Sequence, residues 1–403
     1  MKILKILLLT FIVVFSFARG MRQNNGGDFN VFWKAGQNLL SERPLYEPGP
    51  GEREFIYPPF AALFFTPLSI FSLNWGAFVF NLFNFFLWFL SFYLLYKIFN
   101  YYIPDPGVLK VGLALSFIFS FKLFWNNWMM VQTNSIILVF SLLGIYYFLR
   151  KRENWAIFYF ALGTSIKIIP IFFFFWVIIR GTRWALLKSV FWGVLFILLP
   201  MMFGGFEKGF SELQYFYQYY VAPFLEDGTA NLSYANQSLS SFIYKVFTSL
   251  HHKGHMAFTW WDLGLENAGL LKKWSAIAVF GLFLLGLGLS RRKFKEPNIL
   301  EPALVFLTAH LLSGSTWKAH LVSLAFVYMA LFSLYAQSKK GTFLYYYRWV
   351  LYIFIGLLTF TGKSIVGHVG QLYIGGWGFW TILMLALLFF FIFSLKEKKR
   401  VIQ

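Results

Sequence analysis

The chain has 403 residues, 59% of them hydrophobic and 13% charged, with a mean hydropathy of +0.62. A soluble domain carries about 25% charged residues, so a water-soluble globule is excluded and an integral membrane protein is expected. The net charge of +19 sits in basic clusters beside apolar runs, the pattern that orients membrane spans, so nucleic acid is not an expected partner. The absence of Cys excludes disulfides, thiolate metal sites and a Cys nucleophile.

Apolar runs of about 15–23 residues recur from end to end, each long enough to enter a hydrocarbon core of ~30 Å. They do not alternate as barrel strands would, and a span must satisfy its own backbone hydrogen bonds, so they read as helices. The expected fold is all-α: a polytopic membrane helix bundle of about twelve transmembrane helices, a single membrane domain over residues 1–403.

In chain order, Met1-Lys2 to Ala18 is a basic start and a short apolar run with no small-x-small cleavage site, hence an uncleaved first helix. Residues 20–58 form a polar, turn-rich external segment carrying Gly26-Gly27-Asp28-Phe29 and Tyr57-Pro58-Pro59. The run 59–73 is short and Pro-interrupted, and reads as interfacial or re-entrant. Spans follow at 76–98, 108–124 and 131–149. Lys167 and Pro170 split 155–180 into two short helices, 155–166 and 170–180, with Lys167 at the outer turn. Further runs lie at 184–203, 274–290, 299–313, 320–336, 346–362 and 373–393, and 204–273 is a long external loop. This assignment puts the basic clusters and both termini on the cytoplasmic side and most carboxylates outside.

The unusual polar residues then gather at one face: Asp28, Tyr57, Asn126-Asn127, Gln132, Asn134, Lys167, Asn236-Gln237, Trp317-Lys318, His320 and Lys363. Each has a plainer reading beside the functional one. Gln132 and Asn134 suit interhelical hydrogen bonds, Lys318 and Lys363 suit snorkelling, and His320 suits packing. Asp28 suits a helix N-cap, because Phe29, Phe32, Trp33, Leu39 and Leu40 follow it at helical spacing. The functional reading makes Asp28 a base for a sugar hydroxyl, turned toward the membrane by the flexible Gly26-Gly27. Nearby cations would hold a phosphate, and Tyr57 and Trp317 would offer stacking faces. No Gly-rich phosphate loop is present. That favours a donor delivered from the membrane, a lipid-linked sugar phosphate, over a nucleotide sugar.

Four patches in this order resemble glycosyltransferase family 87, the polyprenyl-phosphate-mannose-dependent α-mannosyltransferases of GT-C fold. They are Gly27-Asp28-Phe29 with Tyr46 and Tyr57-Pro58-Pro59; Gln132-Thr133-Asn134, similar to Gly-Gln-x-Asn; Lys167-Ile168-Ile169-Pro170, similar to Lys-x-x-Pro; and Ser313-Gly314-Ser315-Thr316-Trp317-Lys318-Ala319-His320, similar to Ser-Pro-x-Ser-Trp-x-His-His. Val131 stands where that pattern has Gly, Gly314 where it has Pro, and Ala319 where it has the first His. The resemblance implies an inverting hexosyltransferase, mannosyltransferase-like, in a bacterial inner membrane with its site facing outside. It implies Asp28 as general base and Lys167 and His320, with Lys318, near the donor phosphate. Tyr57, Asn126, Gln132, Asn134, Gln237 and Trp317 are the expected substrate contacts. The expected partners are membrane lipid, a polyprenyl-phosphate sugar and a glycan or glycolipid acceptor. No cofactor is required and no metal ligand set is seen, a divalent metal being left open. The competing class is a transporter or lipid-linked-sugar flippase, which would tend to show repeated halves and midplane ionisable groups; no fixed-period repeat is present.

Overall fold

The computed structural model describes residues 2–23, 27–41, 43–48, 53–226, 232–250, 258–335, 343–360 and 362–396. Gly26 lies outside them, as do Glu42, Glu52 and Asp227 among the carboxylates expected outside and Lys339-Lys340 and Lys398-Lys399-Arg400 among the basic clusters expected on the cytoplasmic side. Among the described residues all regular structure is helical and no strand occurs. The α-helices are α1 (Lys2–Gly20), α2 (Asp28–Leu40), α3 (Pro59–Ser69), α4 (Leu73–Phe99), α5 (Pro106–Met129), α6 (Asn134–Leu149), α7 (Glu153–Ile166), α8 (Phe172–Arg180), α9 (Ala185–Gly204) and α10 (Phe206–Phe216). They continue with α11 (Ala222–Glu226), α12 (Leu239–Phe247), α13 (Gly264–Lys293), α14 (Leu300–Leu311), α15 (Leu324–Tyr335), α16 (Phe343–Phe360), α17 (Lys363–Gly376) and α18 (Phe379–Lys396).

Twelve crossings are not confirmed. Six described helices are long and apolar enough to cross a membrane, lying in α1, α4, α5, α9, α13 and α18; a bent pair, Tyr345–Phe360 with Ile365–Gly376, raises the count to seven if taken as one span. The other apolar runs form shorter helices, and length is the reason. At 1.5 Å per residue the 16 residues of α6 extend about 24 Å and the 11 of α3 about 16 Å. Apolarity has a second source as well. All twelve residues of α14 are buried inside protein, so a helix that is apolar all round here marks a packed core rather than lipid contact.

The segment expected as the long loop 204–273 contains helices: α10, a π-helical turn at Tyr217–Val221, α11, α12 and the first turns of α13. Ser238 caps α12, its Oγ accepting from the Ser241 N–H at 3.3 Å. Phe206, Phe210, Leu213 and Phe216 repeat at helical spacing, but the run is too polar to stand out as a membrane segment. The split at 155–180 is present. α7 ends at Ile166, Lys167 is extended (φ −153°, ψ 122°), and a 3-10 turn, Ile169–Ile171, holds Pro170 before α8.

The chain divides into two compact units. The first comprises 1–94, 124–171 and 183–227. In it α2 packs against α3, α6 against α7, and α9 against α7, α3 and α10. Gly36 allows the close approach of α2 and α3, since a Cβ there would lie 2.2 Å from Ser69 Oγ. The second comprises 95–123, 172–182 and 228–403. Its centre is α14, packed on α8, α13, α15 and α18. Glu301 of α14 is fully buried and paired with Arg180. Its carboxylate also accepts from Trp176 Nε1 (2.6 Å), the Ser290 hydroxyl and the Asn298 N–H (3.2 Å).

Candidate active site

The first unit assembles its polar cluster from three chain breaks. The first is the start of α2. Phe29, Phe32, Ala35 and Leu39 form its buried stripe. Phe29 stacks on Phe80 at 5.3 Å, and Phe32 lies against Tyr57 at 4.5 Å and Phe65 at 4.8 Å. Asp28 is thereby held at the first helical position, where the positive end of the helix dipole favours a carboxylate. The capping reading does not hold: Gly27 is the N-cap residue and no side chain caps the helix. Gly27 itself is extended (φ −75°, ψ 149°), a backbone any residue adopts, so its glycine character is not what aims Asp28. Asp28 Oδ2 accepts from Gln132 Nε2 at 2.8 Å, and Oδ1 pairs with Arg53, whose side chain is 58% exposed.

The second break joins α5 to α6. Gln132 lies there because Val131 turns the chain with φ +52°. A β-branched residue in left-handed backbone is strained by about 1–2 kcal/mol, and this is the position where the resembling motif has Gly. Asn127, fully buried on the last turn of α5, donates to Ser135 Oγ (3.0 Å) and more distantly to Asn84 Oδ1 (3.4 Å). Asn127 Oδ1 accepts from Asn134 Nδ2 (3.2 Å). Asn134 opens α6, and no side chain caps that helix at Thr133. Asn126, the neighbour expected to contact substrate, is half-buried, and its backbone carbonyl accepts from the Met130 N–H at 3.1 Å.

Lys167 occupies the third break. It is buried, its Nζ donates to Asn134 Oδ1 at 2.9 Å, and it lies 5.7 Å from the centre of the Tyr57 ring. The Asp28 charge reaches both Lys167 and Tyr57. Burial first, and then Asp28, pushes the Tyr57 phenol up, so it stays a neutral hydroxyl at physiological pH. Asp28, Tyr57, Gln132, Asn134 and Lys167 are thus brought together: a carboxylate, a phenol, two amides and a buried amine. Gln132 Oε1 is buried with no partner among the described residues. Such an acceptor costs about 1–3 kcal/mol if left unmet, and a substrate hydroxyl would satisfy it.

Gln237, Trp317, Lys318 and His320 belong to the second unit. Gln237 is buried, and its Nε2 donates to the carbonyls of Tyr234 and Gly375, both at 2.9 Å. With Asn236 it clasps the segment 314–316: the Gln237 N–H donates to Thr316 O (2.7 Å) and the Thr316 N–H to Asn236 Oδ1 (2.8 Å). Trp317 Nε1 donates to Ser315 Oγ at 2.7 Å. His320 Nδ1 lies 3.0 Å from Ser315 O and 3.3 Å from the Trp317 backbone nitrogen. The charge of Lys318 acts on Lys122, a second cation of this unit. Lys363 begins α17. Among the described residues no three His, Asp or Glu side chains converge.

Sequence reasoning missed Arg53, Asn84 and Ser135. Arg53 was hidden in a loop that reads as solvated. Asn84 carried a usable signal, a polar amide inside the Phe-rich α4. A family model, glycosyltransferase family 87, matches residues 55–300. Tyr57, Gln132, Asn134 and Lys167 fall inside that match, while Asp28 precedes it and Trp317, Lys318 and His320 follow it. Comparison with curated proteins finds no match.

Proposed function

The chain belongs to glycosyltransferase family 87, and from that premise we propose that this membrane glycosyltransferase moves a hexose, mannose by resemblance, from a polyprenyl-phosphate donor to a glycan or glycolipid acceptor on the extracytoplasmic side. The observation that carries the reading is the Asp28–Gln132 hydrogen bond beside the Asn134–Lys167 hydrogen bond, the two amides lying two positions apart in the chain. A proton acceptor and a cation at one site are what the displacement needs. The acceptor oxygen attacks the anomeric carbon from the face opposite the lipid phosphate, and its proton passes to Asp28. The anomeric C–O bond breaks, and its electron pair leaves with the polyprenyl phosphate, whose charge Lys167 and the uncapped start of α6 offset. The configuration inverts. Gln132 orients the carboxylate and offers Oε1 to a sugar hydroxyl.

His320 and Lys318 are assigned to the donor phosphate by motif resemblance, and Trp317 and Asn126 to sugar contacts on the same ground. Gln237 is assigned to shaping the 314–316 segment, given its bonds to backbone. The reaction needs no cofactor beyond the lipid-linked donor, and turnover in EDTA checks this. The deciding experiment incubates the purified protein in bilayers with labelled polyprenyl-phosphate sugars and, separately, nucleotide sugars. Transfer with inversion from the lipid-linked donor alone is expected. Transfer from a nucleotide sugar without any lipid-linked intermediate would overturn the proposal.

A further inference from the structure

One aromatic feature of the first unit takes no part in the site described above. The Tyr46 ring is 2% exposed and its hydroxyl donates to the Tyr57 carbonyl at 2.8 Å. It stacks on Tyr215 of α10 with centroids 5.2 Å apart and planes at 12°. Tyr215 stacks in turn on Tyr219 at 4.2 Å and 27°. Tyr219 is 59% exposed. Three offset rings thus run from beside Tyr57 to the surface, flanked by Tyr220 at 5.6 Å from Tyr46. The column is built rather than accidental. The Leu45 N–H donates to Glu212 Oε1 at 2.9 Å, tying the loop under α10. The π-helical turn Tyr217–Val221 carries Tyr219 and Tyr220, a widened geometry that recurs at functional sites.

Two exposed carboxylates lie near the column, and Lys208 of α10 acts on Glu212 at its base. Glu54 acts electrostatically on Tyr215 and Tyr220, Glu47 on Tyr215, and both carboxylates are exposed. Tyrosines also line membrane–water interfaces, but anionic headgroups would be repelled by the two carboxylates near Tyr215, the ring on which Tyr219 stacks. A sugar fits both features: its C–H face packs on an aromatic ring, and its hydroxyls donate to carboxylates.

We propose that the Tyr46–Tyr215–Tyr219 column is an acceptor subsite for an uncharged saccharide, with Tyr219 as the stacking face and Glu47 and Glu54 as hydroxyl acceptors. The word acceptor rests on the transfer reading above; the saccharide site does not. It makes the acceptor a neutral glycan, excluded from carrying phosphate at the sugar seated there.

The test uses the full chain in nanodiscs without donor and follows mannotriose and mannose 6-phosphate by saturation-transfer NMR. Wild type should bind mannotriose and not the phosphate, Tyr219→Ala should lose mannotriose, and Tyr219→Phe should keep it. In the transfer assay Tyr219→Ala should raise the acceptor KM up to about tenfold, with kcat and donor KM unchanged. Equal mannotriose binding by wild type and Tyr219→Ala would overturn the subsite. Equal binding of the phosphate by wild type would overturn its charge selectivity. If no donor supports transfer while mannotriose binding still depends on Tyr219, the transferase reading fails and the saccharide site stands.

Discussion

Two arginine–carboxylate pairs, one in each unit, show how similar chemistry serves different ends. Glu301 is fully buried and Arg180 side-chain exposure is 4%; the carboxylate is surrounded by Trp176, Ser290 and the Asn298 N–H. Asp28 keeps 15% side-chain exposure, its Arg53 partner 58%, and its other oxygen is held by a single amide. A saturated pair has no capacity for a substrate. A half-satisfied pair at the surface is held weakly, by about 0–1 kcal/mol, and one of its oxygens is exchangeable. The difference separates a structural lock from a site that can react.

The sharpest way to break that comparison is to neutralise each carboxylate isosterically. Asp28→Asn should cut transfer about 10²–10⁴-fold, while donor-lipid binding and thermal stability stay near wild type. Near-normal turnover would remove Asp28 as the base. Glu301→Gln should do the reverse. It strands the Arg180 charge in the core at about 3–5 kcal/mol, read as a lower thermal midpoint in detergent, with kcat per folded molecule unchanged. An unshifted midpoint would contradict the lock.

Smaller effects sharpen the reactive side. Lys167→Ala removes a charge-assisted contact worth about 1.5–3 kcal/mol, so the donor KM should rise about ten- to a hundredfold; a change confined to acceptor KM would reassign Lys167. Arg53→Gln should leave stability unchanged and lower the acceptor KM a few-fold, because Arg53 occupies the Asp28 oxygen that an acceptor needs. Since exposed pairs are screened, wild-type acceptor KM should fall with added salt and the variant's should not. The smallest effect concerns Val131. Val131→Gly should be more stable than Val131→Ala by about 1 kcal/mol, against the usual order, because only glycine relieves φ +52°. Equal or reversed thermal midpoints would rule out strain there.

The sequence by itself determined the helical membrane class, the split at Lys167 and Pro170, and the identity of Asp28, Gln132, Asn134 and Lys167 as the unusual groups. These follow from local chemistry: apolar run length, a proline without an N–H, and polar residues at apolar depth. The motif order carried the family. Only the tertiary structure decided the rest. Whether an apolar run faces lipid or a protein core depends on its neighbours, as α14 shows, so run counting does not by itself establish the number of crossings. Arg53 meets Asp28 across 25 positions of chain, and Tyr46 meets Tyr215 across 169, counted from their numbers. No local pattern encodes such pairs, because a contact between distant segments is set by how whole helices pack and not by the residues on either side of it.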